Sequence, residues 1–150
     1  MKMYLSGGAA SGVWQPVNEY IVKRKGCRLV SFAYAKVADD YSKLAEFMQV
    51  HSDFLLDSGA FTAWTKGEQV DLNKLSNFFE TKILSNQYLS TATMINLDVI
   101  PGKKGVDPTL QEIEDAMEQS MENFHILNSR FPGKILPVYH QGEPESRCIT

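Results

Sequence analysis

Cysteine is nearly absent: the 150 residues contain two, Cys27 and Cys148. Two thiols so far apart do not make a disulfide framework, and Cys27, at the head of an apolar run, is expected to pack in the core. Neither CxxC nor HExxH occurs, so the chain carries no recognisable structural or catalytic zinc motif. No run approaches the roughly 18 apolar residues of a membrane span, and the N-terminal apolar stretch is too short for a signal peptide. A cytoplasmic protein with no membrane partner is the expectation. Repeats, low-complexity segments and linkers are also missing, as is a strong charge of one sign. The net charge is −3, which argues against a strong nonspecific grip on nucleic acid. Lys23-Arg24-Lys25 and Lys103-Lys104 are the basic clusters, and each reads as a solvated helix end or loop.

What remains is ordinary globular composition, 43% hydrophobic and 22% charged, enough for one domain over residues 1–150. Strand and helix signals alternate along it. Residues 3–5 form a short apolar strand that stops at Ser6-Gly7-Gly8. A helix over 17–25 is closed by Gly26, and 28–34 (RLVSFAY) reads as a strand. Residues 41–50 place Leu44, Phe47 and Met48 on one helical face. A brief strand at 54–56 ends at Asp57-Ser58-Gly59.

Asp71 then caps a helix carrying Leu72, Leu75, Phe78 and Phe79. Residues 92–100 (ATMINLDVI) read as a parallel strand covered on both faces. Asp107-Pro108 starts a helix striped by Leu110, Ile113, Met117, Met121, Phe124 and Leu127, and 134–139 (KILPVY) is the last strand. The order β-α-β-α-β-α-β-α-β implies right-handed crossovers and a parallel sheet. The fold expected is α/β, of (β/α)-barrel type. A whole barrel takes about 250 residues, so the chain corresponds to an N-terminal portion with about five strands and four helices.

Polar residues collect where strands stop, the edge at which such sheets bind ligands. Asp57 directly follows Leu55-Leu56 and precedes a glycine-containing turn. It suits a general acid/base, and equally well the cap of the next turn. Asp98 sits among apolar residues, where an unpaired carboxylate would cost several kcal/mol. It therefore calls for a partner: a ligand edge with two N–H donors, or a structural Arg or Lys. His140, Gln141 and Glu143, around the turn-permitting Gly142, form a polar cluster after the last strand, for which structural and functional roles weigh equally. Ser6-Gly7-Gly8-Ala9-Ala10-Ser11-Gly12 fits neither GxGxxG nor GxxxxGK[ST] and reads as a close-packed turn.

Three of these segments together resemble the tRNA-guanine transglycosylase (queuine tRNA-ribosyltransferase) family, including phage and bacterial relatives that place 7-deazaguanine bases in DNA. Leu56-Asp57-Ser58-Gly59-Ala60-Phe61 is similar to the family's DSGG-aromatic motif. Asn96-Leu97-Asp98 is the second segment, and Val138-Tyr139-His140-Gln141-Gly142-Glu143 resembles the family's VQG segment. The resemblance implies base exchange through a covalent intermediate: an aspartate attacks ribose C1′, guanine leaves, and a deazaguanine takes its place.

By that resemblance Asp57 is the general acid/base, with Ser58 and Gly59 beside it. Phe61 stacks on the purine, and Asp98 and Gln141 read its polar edge, with His140, Gly142 and Glu143 adjoining. Ala60 in place of glycine, and His140 to Glu143 as they stand, lean toward the DNA-directed relatives. The family's nucleophilic aspartate and its zinc site fall beyond residue 150, so no cofactor is expected within the chain. The partners implied are a purine or 7-deazaguanine base, tRNA or DNA, and either a second copy or a complementary chain. Two other readings stay open: a metal-dependent hydrolase using Asp57, Asp98 and His140, and a non-catalytic binding subunit.

Overall fold

A computed structural model describes residues 2–6 and 14–139. The sequence alternation is realised as a five-stranded, all-parallel sheet flanked by helices, an α/β architecture. The strands are β1 (Tyr4–Leu5), β2 (Cys27–Ser31), β3 (Asp53–Asp57), β4 (Thr93–Ile95) and β5 (Ile135–Leu136). They lie in the order β1-β2-β3-β4-β5, without the reversal that creates a switch point in doubly wound sheets. Strands added in one direction by right-handed crossovers receive their helices on one face.

Side-chain burial agrees. Val30, Leu56, Met94 and Ile135 are aligned across four strands and lie in the main core with Phe54. There they meet Ile21 and Val22 of α1 (Trp14–Lys23) and Ala38, Tyr41 and Ala45 of α2 (Ala35–Met48). Leu75 of α4 (Leu72–Phe78) joins them, followed by Phe79 and Ile83 of the π-helical turn that continues α4. Leu127 of α5 (Leu110–Arg130) completes the layer. The alternate residues Leu29, Leu55, Thr93 and Ile95 point to the other face, as the period of two requires. Leu55 is only 8% exposed yet stands outside the main core.

Several boundaries differ from expectation, each for a local reason. β4 covers three residues rather than nine, because the amide of Asp98 turns back to Asn96 O (3.0 Å) and ends the ladder. The last strand is likewise two residues, Ile135–Leu136. β2 stops at Ser31, whose side chain accepts from the Ala33 amide and starts a 3-10 turn over Phe32–Tyr34.

Helix α2 begins six residues before its expected start, so Ala38, Tyr41, Ser42 and Ala45 set its buried face and Phe47 is left 86% exposed. A short helix absent from the expectation, α3 (Ala60–Thr65), follows β3. The start of α5 is Thr109, not Asp107. Thr109 accepts from the Glu112 amide while the Glu112 carboxylate accepts from the Thr109 amide, a reciprocal cap. Leu110, placed on the apolar stripe by spacing, is 81% exposed on that first turn, whereas Ala116, Asn123 and Leu127 are buried. Asp71 does cap α4, accepting from the Lys74 amide at 3.0 Å. Among the described residues no helix is long and apolar enough to cross a membrane.

Candidate functional site at the C-terminal edge of the sheet

The end of β3 is built as a tight turn. Asp57 is paired in register with Ser31, so both occupy the helix-free face at the C-terminal edge. The Asp57 carboxylate accepts from the Gly59 amide at 3.2 Å, closing the turn through the side chain. Gly59 adopts φ +79°, and a Cβ there would lie 2.9 Å from Ala33 N and 3.2 Å from Ser31 Oγ. Only glycine satisfies both the left-handed backbone and this close approach. The turns ending β2 and β3 therefore pack directly on each other, with Ser58 buried beneath.

Two residues on, in the first turn of α3, Phe61 is 67% exposed. Its ring lies on that of Trp64, with centroids 5.9 Å apart and 29° between planes. The Trp64 indole donates to Gly102 O (3.0 Å) and ties α3 to the loop that leaves β4. An aromatic pair, Phe61 exposed and Trp64 half-buried, thus sits at the strand ends outside the main core.

The end of β4 is fastened to α5 by polar side chains. Asn96 Nδ2 donates to Ser120 O and Asn123 Nδ2 donates to Leu97 O, both at 2.9 Å. Ser120 Oγ accepts from the Val99 amide at 2.8 Å and donates to Asp98 Oδ1 at 3.0 Å. Asp98 lines a cavity of about 640 Å³ with Trp64, Ala63, Leu97, Lys104 and Asn123. That volume suits a drug-sized or nucleobase-sized ligand. Asp98 and Glu68 face Lys103 and Lys104 around it, so its lining carries both signs of charge.

Of the residues singled out from sequence, Asp98 borders this cavity, and Asp57, Ser58, Gly59 and Phe61 do not; Ala60 and Trp64 of α3 join the two regions. Asp57 and Asp98 are held by different elements, one by its own turn and the other by α5. His140, Gln141, Gly142 and Glu143 lie outside the described residues, as do residues 7–12 of the glycine-rich turn. Sequence reading did not single out Trp64, Ser120 or Asn123. The signal for the last two was present: Ala116, Ser120, Asn123 and Leu127 recur at helical spacing, putting two polar residues on the covered face of α5.

At the opposite, N-terminal edge of the helix-free face stands a second polar group. Asp53 accepts from Thr91 Oγ1 (2.6 Å) and Lys2 Nζ (2.9 Å), and from the Cys27 thiol at 3.8 Å. The bonds from Thr91 and Lys2 hold its carboxyl below the usual carboxylate value. Burial, reinforced by Asp53, raises the Cys27 thiol above its ordinary value. Cys27 is thus half-buried on this face rather than packed in the main core. Among the described residues no three His, Cys, Asp or Glu side chains gather into a group able to hold a metal. Comparison with known proteins returned no match to any family model, curated protein or solved structure.

Proposed function

We propose that the chain is the purine-binding portion of a transglycosylase-like (β/α)-barrel, taking guanine or a 7-deazaguanine at the C-terminal edge of its sheet. Base exchange in tRNA or DNA would then require the further strands and the nucleophilic aspartate expected beyond residue 150. The sequential, one-directional strand order supports the barrel reading, since a barrel wall is built in that order.

The observation that carries the binding role is Phe61. A large aromatic 67% exposed, two residues past a glycine-dependent turn and stacked on Trp64, has no burial to explain it. A nucleobase offers the π-face that such a ring accepts. Asp98, a hydrogen-bond acceptor beside a cavity, supplies the complement to the adjacent N–H groups of a guanine edge. Asp57, at the end of the neighbouring strand, is the candidate proton carrier for the leaving base.

Calorimetry with guanine and 7-deazaguanine tests the proposal on the chain as it stands. Binding is expected in the wild type, weakened about tenfold or more by Phe61→Ala, as loss of a base–aromatic stack predicts, and lost in Asp98→Ala. Equal heats for the wild type and Asp98→Ala would overturn it.

A further inference from the structure

Helix α2 turns one side to the core and another to the outside of the helix layer. Ala38, Tyr41, Ser42 and Ala45 are buried, whereas Phe47 is 86% exposed, more than any other large hydrophobic among the described residues. Lys36, Asp40, Lys43 and Phe47 follow one another at spacings of four, three and four. With 3.6 residues per turn, these positions fall within about 60° of one another, on the side away from the buried set. The same 4-3-4 spacing makes the contact seam of paired helices. Beside the stripe a cavity of about 480 Å³ opens between α1 and α2, where Asn18, Val37 and Leu44 also line it.

The charges are ordered along the helix, Lys36 pairing with Asp40 (2.6 Å) and Lys43 with Asp39. Read in either direction, the stripe has the same spacing, so it can be laid against itself about a two-fold axis between Asp40 and Lys43. In the antiparallel arrangement Asp40 meets Lys43 of the second copy, and Lys43 meets its Asp40. Each Phe47 then meets the Lys36 of the other copy, whose methylene stem and ammonium suit the face of a ring. In the parallel arrangement every charge would meet its own like.

We infer that α2 is the dyad helix of a homodimer, packed antiparallel on α2 of a second copy through Lys36, Asp40, Lys43 and Phe47. Exposed ion pairs contribute little singly, so here they fix orientation and register. The affinity comes from the two Phe47 rings, each covered together with the Val37 and Leu44 side of the opposing groove. This contact lies on the helix layer, apart from the sheet edges and from the proposed base site, and stands independently of the base-binding reading.

Sedimentation velocity on the full chain, from micromolar to millimolar protein, tests it. Every variant carries Leu136→Lys, which charges the exposed edge strand β5 so that association through the sheet edge does not contribute. This chain should still dimerise. Phe47→Ala should weaken the dimer about tenfold or more. Asp40→Lys and Lys43→Asp should each weaken it about tenfold, since every reversal acts at two symmetry-related contacts, and the two combined should restore it to within about threefold. All three substituted residues are exposed, so the variants should fold, which unchanged circular dichroism checks. A chain that stays monomeric at millimolar concentration overturns the inference. So does a dimer indifferent to Phe47→Ala, or a pair of charge reversals whose losses add instead of cancelling.

Discussion

Gly59 concentrates more constraint than any neighbour at the strand ends. Its φ of +79° lies where a side chain strains the backbone, and the site of its missing Cβ is 2.9 Å from Ala33 N. Gly59→Ala should therefore cost about 1–3 kcal/mol, read as a lowered urea midpoint, and should spread to the β2 turn because Ala33 must move. Asp53 makes a prediction in pH. Hydrogen bonds from Thr91 and Lys2 place its folded pKa below the unfolded value, so its contribution is complete above the unfolded pKa. That contribution fades as pH falls through the folded one. Lys2 is shifted upward by the same pair, and its contribution is lost only as pH rises through its own folded value. Asp53→Asn should lower the neutral plateau and flatten the acid limb, so that variant and wild type converge in acid, as denaturation midpoints from about pH 2 to about pH 6 would record.

At the scale of elements, the start of α5 separates two capping candidates. Asp107-Pro108 has the composition of a cap, but the residue three after Asp107 is Leu110, which returns nothing. Three after Thr109 comes Glu112, and the two close reciprocally, which also holds the Glu112 carboxyl below its ordinary value. Thr109→Ala should lower stability by about 1 kcal/mol and Asp107→Ala by much less in parallel thermal melts. The reverse ranking would mean that the helix starts at Asp107. This boundary was legible in the pattern Thr-x-x-Glu.

The length of β4 was not legible. Met94 to Ile100 is apolar enough for a long strand, yet Asn96 and Asn123 divert their side chains to Ser120 O and Leu97 O, and only tertiary contact with α5 reveals that. The Asp57-Ser58-Gly59 turn was legible because it is local, built from three consecutive residues. The Ser120–Asp98 bond joins residues 22 apart and was not.

For the whole molecule, the alternation of strands and helices was readable because period-two and period-3.6 patterns are written residue by residue. The unequal faces of the sheet follow from strand order, which the sequence does not state. One face carries the helices. The other carries the buried Leu55 and the partly exposed Leu29, Ile95 and Leu136, with Leu136 of the edge strand β5 43% exposed. Among the described residues β1 and β5 each lack a strand partner on one side. Apolar surface and open ladder groups on the same edge favour pairing with another strand.

Both should be covered in a larger assembly, by further strands of a barrel or by a second copy. Self-association is thus expected at micromolar to millimolar protein, with the β5 edge taking part. Leu136→Lys places a charge on that edge and should shift sedimentation velocity toward monomer without lowering the melting temperature by more than about 0.5 kcal/mol equivalent, since the residue is already nearly half exposed. Leu56→Ala, two strands inward on the covered face, should instead cost about 2–5 kcal/mol and leave association unaffected wherever the chain remains folded. Monomeric wild type at every concentration would show that the helix-free face is stable in water. The expectation of a covering chain would then fall, and with it the need for further strands.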